Sequence, residues 1–120
     1  MNDPLEFQQM TINGTRLVAR RFLLEAIAKA HEELVRLKIG ANGKLGFVAA
    51  PERTASWRSE VLQLQLRNSG ASKTMYSNHR SGSAVDCFAN WNYIKAIKPT
   101  MNKYGLVNDL AYASKDWKTI

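Results

Sequence analysis

The sequence predicts an α+β domain, with helices packed on a small, mainly antiparallel sheet. Three observations lead there. Apolar residues recur at three- and four-residue spacing early in the chain. Short apolar runs bounded by glycine or proline follow. Helical and extended patterns then alternate to the end. The 120 residues suffice for one core, so a single domain over 1–120 is expected.

Residues 1–14 read as an irregular lead-in closed by Asn13-Gly14. A long helix is expected over 15–38, with Leu17, Val18, Phe22, Ala26, Ile27, Ala30, Leu34 and Val35 on its apolar face. Thr15 is its candidate cap and Gly40 its left-handed stop. Glu25 with Lys29, and Glu32 with Arg36, have the favourable i,i+4 order. His31 falls mid-helix and reads as a partly exposed structural residue. Ala41-Asn42-Gly43 is a turn. Lys44–Ala50 (KLGFVAA) reads as a strand ended by Pro51, and a second helix capped by Thr54 or Ser56 runs to about Arg67. Gly70–Ser81 is a polar loop. Ser83–Phe88 is a short strand. Asn90–Tyr104 is helical in pattern, and Pro99 should kink or restart it. Gly105-Leu106-Val107 begins another strand, and Tyr112–Ile120 is ambiguous. Trp57, Trp91 and Trp117 read as core residues.

Apolar residues make up 45% and charged residues 22%, as in soluble globular proteins. No apolar run is long enough to span a membrane. The start, MNDPLEFQQM, lacks the basic and apolar regions of a secretory signal, so none is expected. Cys87 is the only cysteine, which excludes an internal disulfide and a cysteine-based zinc cluster. The net charge of +7 suits a polyanionic partner such as nucleic acid, an anionic membrane surface or an acidic wall polymer. Arg16, Arg20 and Arg21 cluster near the expected helix start, where the dipole does not favour cations. No nucleic-acid reader motif accompanies them.

The stretch Ser77–Asp86, SNHRSGSAVD, carries the chemistry. An imidazole and a carboxylate seven apart do not share one helical face. They suit a loop that reverses at Gly82 and enters a strand. On that strand Ala84, Asp86 and Phe88 share one face. Alone, such a pair is more often a surface histidine and a turn aspartate than a metal site.

The whole pattern is more specific. Ser77, His79, Gly82, Ala84 and Asp86 match S-x-H-x-x-G-x-A-x-D, a set of five fixed positions that arises by chance in roughly one chain of this length in 10⁴. It resembles the signature of the zinc D-alanyl-D-alanine carboxypeptidases and dipeptidases and of phage L-alanyl-D-glutamate endopeptidases. Upstream, GFVAAPERTAS places Arg53-Thr54 where such enzymes carry an arginine after a strand. The resemblance covers residues 42–120. It implies the fold shared with the Hedgehog signalling domain, and zinc as cofactor with His79 and Asp86 as two ligands. It also implies Arg53 as the oxyanion stabiliser and Ser77 as a substrate contact. The bland reading of Arg53 pairs it with Glu52 or Glu60.

The family also carries a D/E-x-x-H near its C-terminus, holding the general base and the third ligand. Here Asp116-Trp117-Lys118-Thr119 has the carboxylate, with threonine where the histidine belongs. Asp116 is the candidate base, and a D-x-x-H beyond Ile120 is expected. The implied function is a zinc peptidase that cuts the stem peptides of bacterial peptidoglycan, as a phage endolysin or virion-borne wall hydrolase. Its partners would be the wall and other virion proteins, without a membrane span or nucleic acid. The alternative is a non-catalytic wall-binding or virion protein on the same fold.

Overall fold

The computed structural model describes residues 5–51, 68, 82–108 and 115–119. It has the α+β architecture that the sequence predicts, but the chain opens with strands. β1 (Phe7–Ile12) and β2 (Thr15–Arg20) form an antiparallel hairpin in the register Ile12↔Thr15 to Phe7↔Arg20. Asn13 and Gly14 join them with φ of 52° and 83°. Two left-handed residues in a two-residue loop match the twist of the flanking strands, which is why Asn-Gly is favoured there. The expected irregular lead-in over 1–14 and helix start at Thr15 are therefore both corrected. Leu17 and Ala19 are buried at a period of two, not as part of a helical stripe.

α1 (Arg21–Arg36) follows without a loop. Its cap is Arg20, extended at φ −65° and ψ 142°, whose side chain makes no capping hydrogen bond. Leu23, Leu24, Ile27, Ala30 and Leu34 form its buried face. The helix stops at Lys38, not Gly40. Lys38 takes φ 58°, the Lys38 N–H donates to Val35 O at 3.1 Å, and the Ile39 N–H donates to Leu34 O at 3.0 Å. This pair of bonds is a Schellman stop, in which a lysine occupies the position usually given to glycine. On the polar face Glu25 bonds back to Arg21 at 2.7 Å, and Glu33 faces Arg36 at 3.4 Å.

β3 (Gly40–Ala41) and β4 (Lys44–Leu45) make a second Asn-Gly hairpin. The strand expected over Lys44–Ala50 is split, because Gly46 turns at φ 92°. A side chain there would collide with the His31 ring, so the site takes only glycine. Past it, Val48–Ala50 runs beside β5 (Val85–Asp86), with Ala49 bridged to Cys87. The helix expected over residues 54–67, with Trp57, lies outside the described residues.

α2 (Trp91–Lys103) is capped by Asn90, whose Oδ1 accepts from Tyr93 N at 3.1 Å. It continues through Pro99 as one element and does not restart. Lys95 and Pro99 both lie on the exposed face, where water can satisfy the carbonyl that the ring leaves unbonded. Trp91 is 42% exposed with Lys95 Nζ 5.9 Å from its ring centre, so it is not a core residue; Trp117 is fully buried. β6 (Leu106–Val107) and β7 (Asp116–Thr119) complete a three-stranded antiparallel sheet in the order β5-β7-β6. The two helices are tied at one end, where Glu33 Oε1 accepts from Lys103 Nζ at 2.6 Å and from Tyr104 Oη at 2.9 Å. These bonds hold the Glu33 carboxyl below its usual range, with Lys103 the largest contributor.

Candidate functional site

Asp86 sits in the second position of β5 and is fully buried. Backbone pairs hold it from both sides. The Ala50 N–H donates to Asp86 O at 3.0 Å, and Cys87 N donates to Lys115 O at 3.0 Å. The second bond makes Cys87 and Lys115 the hydrogen-bonded pair of the β5–β7 ladder. Asp86 and Asp116, the next pair, are then the non-bonded one, with Cα atoms about 4.5 Å apart and side chains on the same face.

Two carboxylates facing each other across a ladder repel. Lys115 Nζ lies 4.0 Å from Asp86 Oδ2. Asp116 is half-buried, and Asn108 Nδ2 donates to its backbone carbonyl at 2.7 Å, which pins the start of β7. Beneath the pair Trp117 Nε1 donates to Cys87 Sγ at 3.2 Å. Burial, with a smaller contribution from the Asp86 charge, pushes the Cys87 thiol up to about 12. It is a packing group, not a nucleophile.

Gly82 behaves as the sequence reading requires, turning at φ +70° ahead of β5. The Phe7 ring covers it so closely that a Cβ would overlap the ring. The Arg20 N–H donates to Gly82 O at 3.0 Å, and the Arg20 guanidinium stacks 4.8 Å above Phe7. The β1–β2 hairpin thus clamps the turn that leads into Asp86. Sequence reasoning missed this clamp, although the Asn-Gly pair between two alternating runs was its signal. Ala84 is fully buried.

Arg53, Ser77 and His79 lie outside the described residues. Thr119 pairs with Leu106 at the end of β7. His31 is elsewhere: its Nδ1 accepts from the Phe47 N–H at 2.9 Å, the structural role read from the sequence. Among the described residues no group of three or more His, Cys, Asp or Glu side chains is placed to hold a metal ion. The described part of the site offers zinc one buried carboxylate donor, Asp86, with a second carboxylate opposite it.

No family model matches the sequence, and no curated protein matches it. The fold does match a solved structure, the Serratia marcescens L-Ala D-Glu endopeptidase ChiX. The TM-score is 0.62 at 16% sequence identity, over 85% of this chain and 80% of that one. The chain therefore shares the fold of that endopeptidase. No helix among the described residues is long and apolar enough to cross a membrane.

Proposed function

We propose that this chain is a zinc-dependent peptidase acting on the stem peptides of bacterial peptidoglycan. The observation that carries the reading is the buried Asp86 with Asp116 directly opposite, on a fold shared with an L-Ala D-Glu endopeptidase. In this reading His79 and Asp86 hold the metal. Zinc, when bound, supplies Lewis acidity toward the scissile carbonyl and toward the attacking water. Asp116 takes the proton from that water and returns it to the leaving amine. Arg53 stabilises the developing oxyanion. Ser77 hydrogen-bonds the peptide. The net charge of +7 favours approach to an anionic wall. The motif's likeness to phage enzymes supports a lysis or virion-borne setting.

The test is release of amino groups from purified peptidoglycan, with and without a chelator. Activity that disappears with chelator, returns with zinc and is absent in His79→Ala supports the reading. Activity that survives both treatments sinks it. A second reading rests on Thr119, which stands where the family has its histidine. A non-catalytic wall-binding protein would sediment with peptidoglycan, release no amino groups and contain no zinc by elemental analysis.

A further inference from the structure

A cleft of about 420 Å³ opens between the β3–β4 hairpin and the first turns of α2. Gly40 and Asn42 border it on the hairpin, and Asn90, Asn92 and Ala96 on the helix, with Phe88 between them. Phe88 stands two residues beyond Asp86 on the same extended run, about 7 Å along the chain. The Phe88 N–H donates to Val48 O at 2.7 Å, so the ladder that carries Asp86 also positions the ring.

The lining is rich in amides and, among the described residues, carries no charged side chain. Asn90 spends its Oδ1 on the Tyr93 N–H and keeps its NH₂ to donate. Asn42 and Asn92 are exposed and present both a donor and an acceptor. Asn42 is held in place by the left-handed turn, at φ 53°. Gly40 adds backbone groups. In a two-residue hairpin Ala41 and Lys44 exchange bonds, so the Gly40 N–H and C=O face the outer edge. The Gly46 N–H donation to Ile39 O at 2.7 Å fits this alternation.

Such a surface suits a neutral ligand with many hydrogen-bonding groups and one apolar face. A peptide carrying carboxylates would find no counter-charge in this lining. A saccharide with hydroxyl and acetamido groups matches the amides, and its C–H face matches the Phe88 ring. We propose that the cleft binds the N-acetylated amino-sugar chain to which the stem peptides of the wall polymer are attached. This deepens the proposed peptidase reading and rests on it.

The experiment titrates the full chain with tri-N-acetylchitotriose, a saccharide without peptide, followed by ¹⁵N NMR. The side-chain amides of Asn42, Asn90 and Asn92 and the Gly40 N–H should shift together. Asn92→Ala should weaken binding roughly five-fold, the value of one neutral hydrogen bond. Ala96→Trp, which fills the cleft from an exposed helical position, should abolish it, with circular dichroism unchanged in both variants. Both should digest intact walls more slowly yet cut free stem peptide at the wild-type rate. Absence of shifts at the cleft, or wild-type binding by Ala96→Trp, overturns the proposal. The two readings separate cleanly, because saccharide binding requires no hydrolysis. A chain that binds the saccharide at the cleft and cuts nothing keeps the subsite and loses the peptidase. A chain that cuts walls without any response at the cleft loses the subsite alone.

Discussion

His31 Nδ1 accepts a hydrogen bond from the backbone N–H of Phe47, 2.9 Å away. The bond joins α1 to the segment that pairs with β5, and an imidazolium has no lone pair at Nδ1 to accept it. The ring is therefore neutral, with its proton on Nε2.

Burial holds the His31 imidazole below its ordinary 6.5, and the Glu32 charge opposes that shift more weakly. With the folded value below the unfolded one, the unfolded chain takes up the proton first. His31 thus contributes stability above about pH 6.5 that is lost as pH falls through that value toward the folded one. Thermal melts at pH 7.5 and 5.0 should show a drop in the wild type and a smaller drop in His31→Gln. Equal drops would remove His31 as a source of acid sensitivity.

Gly82→Ala meets two penalties, a left-handed φ of +70° and the Phe7 ring. The backbone penalty alone is about 1–2 kcal/mol. Urea denaturation should show a greater loss than that in the wild-type background. In a Phe7→Ala background the ring is gone, and the same substitution should cost only the backbone share. Additive costs would mean that Phe7 does not press on Gly82.

Cys87 should be inert while the chain is folded. Its thiol is raised to about 12 by burial, so the thiolate is scarce at pH 8. An aromatic disulfide reagent should react at the rate of unfolding, and at once in denaturing urea. Rapid labelling of the native protein would show that the β5–β7 junction opens readily.

Asp86 and Asp116 face each other but should fail differently when neutralised. Asp116→Asn should retain zinc and lose about 10²–10⁴ in kcat, the range for a missing general base. Asp86→Asn should lose zinc itself, read by elemental analysis after dialysis. Full activity in Asp116→Asn would assign the base to another group.

Much of the site's frame is legible in the residues, and the reason is backbone geometry. Gly82 before a short apolar run means a reversal into a strand, and the chain makes one. Gly105-Leu106-Val107 likewise becomes β6 after a left-handed glycine at φ 79°. The first twenty residues mislead because Leu17 and Val18 fit a helical stripe as well as a strand, and a strong helix follows directly. The Asn13-Gly14 turn was the better guide, since both residues tolerate positive φ. The stop at Lys38 is illegible, because tertiary packing of Ile39 sets a left-handed conformation that lysine does not prefer. The facing of Asp86 and Asp116 could not be read at all. Strand register between segments thirty residues apart leaves no local mark, although D-x-x-H placed Asp116 among the candidates.

The clamp over Gly82 has a practical consequence for anyone preparing this protein. The opening hairpin resembles a dispensable tail on paper, and a shortened version starting at α1 would be an obvious choice for expression. Such a version discards Leu17 and Ala19 from the interior and uncovers the bend that aims Asp86. Purification handles belong ahead of Leu5, joined by a flexible spacer, so that the ring stacked beneath Arg20 keeps its seat.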